Sequence, residues 1–383
     1  MSAPDVNPFR YGDLALDEAF TDRAAELKEL RSDIRNGQNV VVFAPRRYGK
    51  SSLIWRATQD LIRGRQVLVA QVDLMKAPTK ERLAEKLASS IHDDIASMLF
   101  KVRERATEVF RGLRVSPTIT LGTEGSLAFS FQPGHSSEDI DATIEHLLEL
   151  PAELGAERSK RVAVVFDEFQ EIVRIDPDLL PLMRSIFQEQ PDVAHVYLGS
   201  KRHMMEQIFN DANEPFWRSA KQMELGVIPP TQFATFIRKR FAETSRSVED
   251  AAVGEILAVT NAHPYGTQEL AYAVWEVTEE GDTATARHVE EALRRVLRSE
   301  NAHFARIWER AARGQRLALE ALARDPGQPA FSSAYRRTHN LPAVSTLQKA
   351  IDVLVEDELV ERYGRGFRVA EPFLAEWILR NDV

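Results

Sequence analysis

The residues best suited to chemistry lie in two short stretches. The first is Val40-Val41-Val42-Phe43-Ala44-Pro45-Arg46-Arg47-Tyr48-Gly49-Lys50-Ser51-Ser52. A Val-rich run ends in a tight loop, and the loop runs into a helix start. That order lets backbone N–H groups at a helix N-terminus point at phosphate oxygens. In this reading Gly49 permits the turn, Lys50 reaches the β- and γ-phosphates, and Ser51 offers its hydroxyl to Mg²⁺. Ala44, Pro45, Arg46, Arg47, Tyr48, Gly49, Lys50, Ser51 and Ser52 then form the phosphate-binding segment. Ala44 stands where the pattern G-x-x-x-x-G-K-[ST] has its first glycine, and alanine tolerates positive φ less well than glycine. The plainer alternative is a surface Gly-Lys-Ser turn.

The second stretch is Arg161-Val162-Ala163-Val164-Val165-Phe166-Asp167-Glu168, an apolar strand ending in two adjacent carboxylates. In a parallel sheet such a strand delivers its acids to the same edge as the phosphate loop. Asp167 is then placed to hold Mg²⁺, and Glu168 to orient and deprotonate an attacking water. A solvated acidic turn is the alternative, but the two motifs in this order make each other's chance occurrence less credible. Two more residues join the set. Ser200 follows the apolar run Val193–Leu198, which is expected between the two motif strands, and it can touch the γ-phosphate or the water. Arg218 in Glu214-Pro215-Phe216-Trp217-Arg218 can reach a nucleotide as an arginine finger, within its own chain or from a neighbouring subunit.

These residues need a scaffold, and the apolar pattern supplies one. Asn39–Ala44, Gln66–Val72, Arg161–Phe166, Val193–Leu198 and Gln222–Val227 are nearly continuous apolar runs, the mark of strands covered on both faces. Helical spacing fills the gaps over Thr21–Asn36, with Thr21 as its cap, and over Ser51–Arg63, Thr79–Val109 and Glu138–Leu154. The alternation predicts an α/β fold: a three-layer αβα P-loop core around a mainly parallel five-stranded sheet. Ser116–Leu121 and Ser126–Phe131 flank Gly122-Thr123-Glu124-Gly125 as a β-hairpin insertion. From Pro229 to about Asn301 the pattern is helical throughout. Three short helices (Leu317–Ala323, Ser332–Arg337, Ser345–Glu356) and a hairpin (Leu359–Tyr363, Gly366–Val369) then give a winged-helix layout. The expected domains are an arm over 1–18, a core over 19–228 with its insertion at about 115–133, a helical lid over 229–300, and a winged helix over 301–383.

Composition bounds the function. The chain has 383 residues, 44% hydrophobic and 28% charged, enough for two or three packed domains. It has no cysteine, which excludes disulfides and thiolate metal sites. No apolar run has the length of a membrane span, and residues 1–10 lack a signal-peptide core, so a cytoplasmic location is expected. The net charge of −9 argues against broad nucleic-acid binding. From Gly314 to Val383 nine Lys or Arg face ten Asp or Glu, and the expected recognition helix carries one base, Lys349, against Asp352 and Glu356. Arg362, Arg365 and Arg368 make the wing more basic. His263, His288 and His303 lack metal-ligand spacing and are expected to be solvated or to cap helices.

Taken together the chain resembles the archaeal-type ATPases of the additional-strand P-loop class, related to the signalling STAND and AAA-type ATPases. Phe20-Thr21-Asp22-Arg23-Ala24-Ala25-Glu26 resembles that family's F-x-x-R-x-x-E element, Pro45–Leu53 its P-R-R-x-G-K-[ST]-S-L loop, and Phe166-Asp167-Glu168-Phe169-Gln170 its D-E-[FI]-Q motif. Gly199-Ser200 is similar to its sensor strand, and Ala262-His263-Pro264-Tyr265 to its G-x-P-x lid turn, with Asn261-Ala262 where glycines are usual. The resemblance implies ATP rather than GTP, Arg23 near the adenine, a sensor contact at Pro264, and ATP with Mg²⁺ between sheet and lid. A slow Mg-ATP-dependent switch in signalling or regulation, working through a protein partner or self-association, is the leading expectation. A DNA-binding regulator using its winged helix, and a scaffold that has lost hydrolysis, are the alternatives.

Overall fold

A computed structural model describes residues 6–12, 20, 23–96, 110, 113–115, 117–121, 127–131 and 136–380. The chain divides into two compact units, one of residues 23–46 and 50–225, the other of residues 1–22, 47–49 and 226–383.

The first of these is built on a five-stranded sheet. Its strands are β1 (Val40–Phe43), β2 (Val67–Asp73), β5 (Arg161–Asp167), β6 (Val193–Gly199) and β7 (Lys221–Glu224), and they lie in the order β2-β5-β6-β1-β7. Every pairing is parallel. The parallel strands therefore need crossovers: α2 (Lys50–Arg63), α3 (Lys80–Ser90), α4 (Ser137–Glu157), α5 (Ile172–Ile175), α6 (Leu179–Phe187) and α7 (Arg202–Asn210) occur along the connections, and α1 (Ala24–Arg35) precedes β1. Side chains alternate across the sheet. Val41, Phe43, Leu68, Ala70, Val164 and Tyr197 join one core with residues of α3, α4 and α6. Val40, Val42, Val69, Val165 and Val196 are equally buried on the other face. That double burial is why the runs read as continuously apolar. β7 is the exception. Expected as a buried strand over Gln222–Val227, it is an edge strand over Lys221–Glu224 in which only Met223 is buried.

The expected insertion is an antiparallel hairpin of β3 (Thr118–Leu121) and β4 (Leu127–Ser130). The long helix expected over Thr79–Val109 starts at Lys80, with Thr79 capping it through Arg82 N–H, and becomes a π-helical turn over Ile91–Ala96. Residues 97–109 lie outside the described residues, as does Thr21, the expected cap of α1. The residue in the cap position of α1 is Arg23, at φ 64° and without a side-chain cap.

The second unit is helical, with α8 (Pro230–Ala242), α9 (Asp250–Thr260), α10 (Pro264–Val277) and α11 (Ala286–Arg310). The expectation of no strand in this stretch needs a correction: β8 (Ser247–Val248) and β9 (Thr283–Ala284) pair in parallel. Two residues each are too short to leave a periodic signal. The winged helix follows as α12 (Arg313–Arg324), α13 (Ser333–Thr338), α14 (Val344–Glu356), the wing strands β10 (Val360–Tyr363) and β11 (Gly366–Val369), and an unforeseen α15 (Pro372–Arg380). α11 is one continuous helix of 25 residues across position 300, where lid and winged helix were expected to meet. One core runs through this unit, from Phe9, Phe233 and Phe241 to Leu319, Ile351 and Phe373.

Candidate active site

The parallel register decides what can meet. Phe43 of β1 pairs with Gly199 of β6, Phe166 of β5 with Tyr197 of β6, and Asp73 of β2 with Asp167 of β5. The carboxyl ends of four strands therefore finish side by side, carrying Ala44, Asp73, Asp167 and Ser200. An open parallel sheet places its ligand site at that edge.

After β1 the loop turns into α2 at Lys50. Lys50 is buried, and its ammonium donates to the carbonyls of Ala44 at 2.7 Å and Pro45 at 3.1 Å. The ammonium thus lies against the carbonyls of its own loop. Gly49 has φ 84°, and added side-chain volume there would meet nothing within 4 Å, so its backbone conformation is what calls for glycine. Ala44 is not among the positive-φ residues; Arg47, at φ 64°, is. The concern raised by an alanine at position 44 therefore lapses: the loop needs no left-handed residue there. Ser51 is half-buried and Ser52 buried, both in the first turn of α2, and Arg46 is exposed.

At the end of β5 the backbone makes a tight reversal. Glu168 adopts φ 53° and ψ 48°, and its N–H donates to Asp167 Oδ1 at 3.0 Å. Burial, with Glu168 and Asp73 nearby, raises the Asp167 pKa above the usual carboxylate range, although Lys50 and the Glu168 N–H oppose the shift. Glu168 Oε2 accepts from Ser200 Oγ at 2.7 Å and from Gln170 Nε2 at 2.5 Å. Glu168, Ser200 and Asp167, named from the sequence as a set, are thus brought together. Two neighbours were given no role: Asp73, at the end of the adjacent strand, and Gln170, fully buried two residues past Glu168. Among the described residues no group of three or more His, Cys, Asp or Glu could hold a metal by itself.

Residues 47–49 belong to the other unit, as do the partners described next. Tyr48 is 4% exposed. Its hydroxyl donates to Glu361 Oε1 at 3.0 Å and accepts from Arg368 at 3.1 Å, and its ring stands edge-on to His263 at 4.9 Å. Arg47 pairs with Glu371 at 2.8 Å and lies 4.4 Å over the Tyr265 ring. Burial drives the Tyr48 pKa well up, with Glu361 adding to it. None of Glu361, Arg368 and Glu371 was legible, since each lies more than 300 residues from its partner.

The family model described as an ATPase domain predominantly from Archaea matches residues 20–270. The chain belongs to that ATPase family. A second model, for a probable winged helix domain, matches residues 302–380. Among solved structures, the Walker-type ATPase of Pyrococcus abyssi superposes with a TM-score of 0.66 at 16% identity, covering 95% of this chain and 97% of that one. The Orc1 protein of Aeropyrum pernix in complex with DNA gives 0.50 at 16% identity, covering 96% and 94%. No curated protein matches the chain. At these identities the likeness is one of fold: a P-loop core, a helical region and a winged helix.

The remaining expected residues of this archaeal-type ATPase are dispersed. Arg23 is buried and pairs with Glu26 at 3.2 Å. Pro264 is buried at the first turn of α10, behind His263, whose Nδ1 accepts from Gly266 N–H. Burial, aided by Arg368 and Arg47, pulls His263 down to about 3, so it is a neutral cap. His288 also caps, accepting from Thr285 N–H at 3.0 Å. Asn261 and Ala262 sit at φ 50° and 53°, the conformation that explains why glycines are usual there. Arg218 is exposed, its N–H on Phe209 O and its guanidinium 5.1 Å from the Trp217 ring; neither contact reaches the Glu168 cluster. Among the described residues no helix is long and apolar enough to cross a membrane.

Proposed function

We propose that this chain binds ATP with Mg²⁺ and hydrolyses it slowly, as a molecular switch. The observation that supports this most is the hydrogen bond of Ser200 to Glu168 beside Asp167, at the sheet edge where β1 leads into Lys50.

Each residue has a task in this reading. Lys50 exchanges its bonds to the Ala44 and Pro45 carbonyls for phosphate oxygens. Gly49 and the first turn of α2 present N–H groups to the phosphates. Glu168 accepts the proton of the attacking water, and Ser200 holds Glu168 and the water in register. Mg²⁺ suits the donor set: Asp167 and Glu168 end β5 beside Asp73 at the end of β2, with Lys50 as the opposing charge. Asp167 and Ser51 would hold the ion, which when bound offsets phosphate charge; Mg²⁺ in phosphate sites needs only one or two protein carboxylates. Arg23 keeps its role near the adenine and Pro264 its lid contact on the strength of the resemblance alone. Arg218, being exposed, suits a finger offered to a second copy of the chain.

The output is the second unit, whose winged helix grips a protein partner or DNA. The DNA reading draws on the Orc1 structure, which is a DNA complex. Against it, Arg368 is buried on Glu361, which leaves Arg362 and Arg365 as the exposed bases of the wing. Phosphate release from Mg-ATP tests the proposal. Wild type should turn over, and Glu168→Gln should lose turnover while still binding ATP. Full activity in Glu168→Gln sinks the role given to Glu168, and a wild type that neither binds nor hydrolyses ATP sinks the whole reading.

A further inference from the structure

We propose that Gln170 is a positioning residue for the hydrolytic step: it fixes the Glu168 carboxylate so that one oxygen is free to take a proton. The inference rests on the Mg-ATP reading above and adds to it a residue to which no role has been given.

The geometry is specific. Gln170 follows the left-handed turn at Glu168 and lies in the single 3₁₀ turn Phe169–Glu171. That turn folds the Gln170 amide back onto the carboxylate two residues earlier, at 2.5 Å. Ser200 reaches the same oxygen, Oε2, from the end of β6 at 2.7 Å. Two donors from two elements thus converge on Oε2 and leave Oε1 as the oxygen on which a proton can be received. The amide orientation is decided by chemistry: turned over, Gln170 would aim its carbonyl at a carboxylate oxygen.

The surroundings show that this arrangement is kept at a cost. Gln170 is 0% exposed, and its Oε1 is buried without a hydrogen-bond partner among the described residues. A buried orphan acceptor is unfavourable, and an apolar side chain of the same size would avoid it. The space is also reserved. A Cβ on Gly199 would lie 2.7 Å from Gln170 Oε1 and would collide with the Met205 side chain. A residue serving packing alone would be better replaced by methionine or leucine. What methionine cannot supply is the N–H donor to Glu168.

The test is Gln170→Met, read by steady-state phosphate release, by titration with a fluorescent ATP analogue, and by thermal unfolding. The expected result is a kcat lower by about 10- to 100-fold, with KM and analogue affinity within about twofold of wild type, as for a misplaced catalytic group. The melting temperature should stay level or rise, because the orphan carbonyl is gone. In the Glu168→Gln background, Gln170→Met should cause no further loss. Wild-type kcat in Gln170→Met, or a raised kcat, overturns the inference while leaving the ATPase reading intact. So does a fall in kcat accompanied by matching losses of affinity and melting temperature, since that is plain structural damage. A wild type without Mg-dependent phosphate release, or Glu168→Gln as active as wild type, overturns both.

Discussion

The Tyr48 hydroxyl donates to Glu361 at 3.0 Å, so a residue of the loop after β1 is bonded to the first strand of the wing. Arg368 completes the triangle, 2.6 Å from Glu361 and 3.1 Å from Tyr48. Tyr48→Phe removes one member and should cost about 1 kcal/mol. Glu361→Ala leaves a buried guanidinium without its counter-charge and should cost about 3 kcal/mol. Denaturant unfolding of the two variants checks the order; equal losses would mean that the Glu361–Arg368 pair contributes little.

Lys50 is bonded to the carbonyls of Ala44 and Pro45. Lys50→Ala removes the ammonium proposed to meet the phosphates, and affinity for a fluorescent ATP analogue should fall about 100-fold, or roughly 3 kcal/mol. Unchanged affinity would assign Lys50 to loop structure alone.

Gly199 closes β6 where its missing side chain admits Met205 and Gln170. Gly199→Ala should overpack this corner, at a cost of about 1–3 kcal/mol. Because the displaced atoms include Gln170, phosphate release should fall as well. A stable, fully active Gly199→Ala would show that the corner relaxes freely.

Asp94 gives a pH signature of its own. It sits in the π-helical turn and accepts from Gln71 N–H on the edge strand β2 at 3.1 Å. Burial, with Asp93 adding to it, raises its pKa to about 6. A raised folded pKa means that the favourable neutral form is intact below the ordinary carboxylate range and is lost as pH rises through 6. Asp94→Asn keeps an acceptor without the charge. It should stabilise the protein by about 1 kcal/mol at pH 7.5 and by much less at pH 4.5. Equal gains at both pH values would contradict a charged, half-buried Asp94.

The legible parts were those in which neighbours in sequence share one environment. Val40–Phe43 and Val162–Phe166 are buried on both faces, so burial wrote itself into a continuous apolar run. Asp167, Glu168 and Ser200 could be placed because a parallel sheet brings its carboxyl ends to one edge. Gln170 stood in the D-E-[FI]-Q stretch, but its bond to Glu168 depends on the left-handed turn there, and no periodicity encodes a single backbone reversal. Arg368 was read as a wing base because its charge is visible in sequence, while the Glu361 carboxylate that buries it is apparent only once β10 and β11 pair. Trp217 is 44% exposed beside Arg218.

The continuous helix Ala286–Arg310 has a mechanical meaning. At 1.5 Å per residue it is a strut of roughly 37 Å, so a tilt of about 10° at its lid end carries the far end by roughly 6 Å. It begins at the Thr285–His288 cap and reaches Trp308, within the stretch matched as a winged helix. No flexible joint interrupts it. A rotation applied at one end of this helix would be carried to the other, and helix-breaking glycines placed near residue 300 would weaken that transmission.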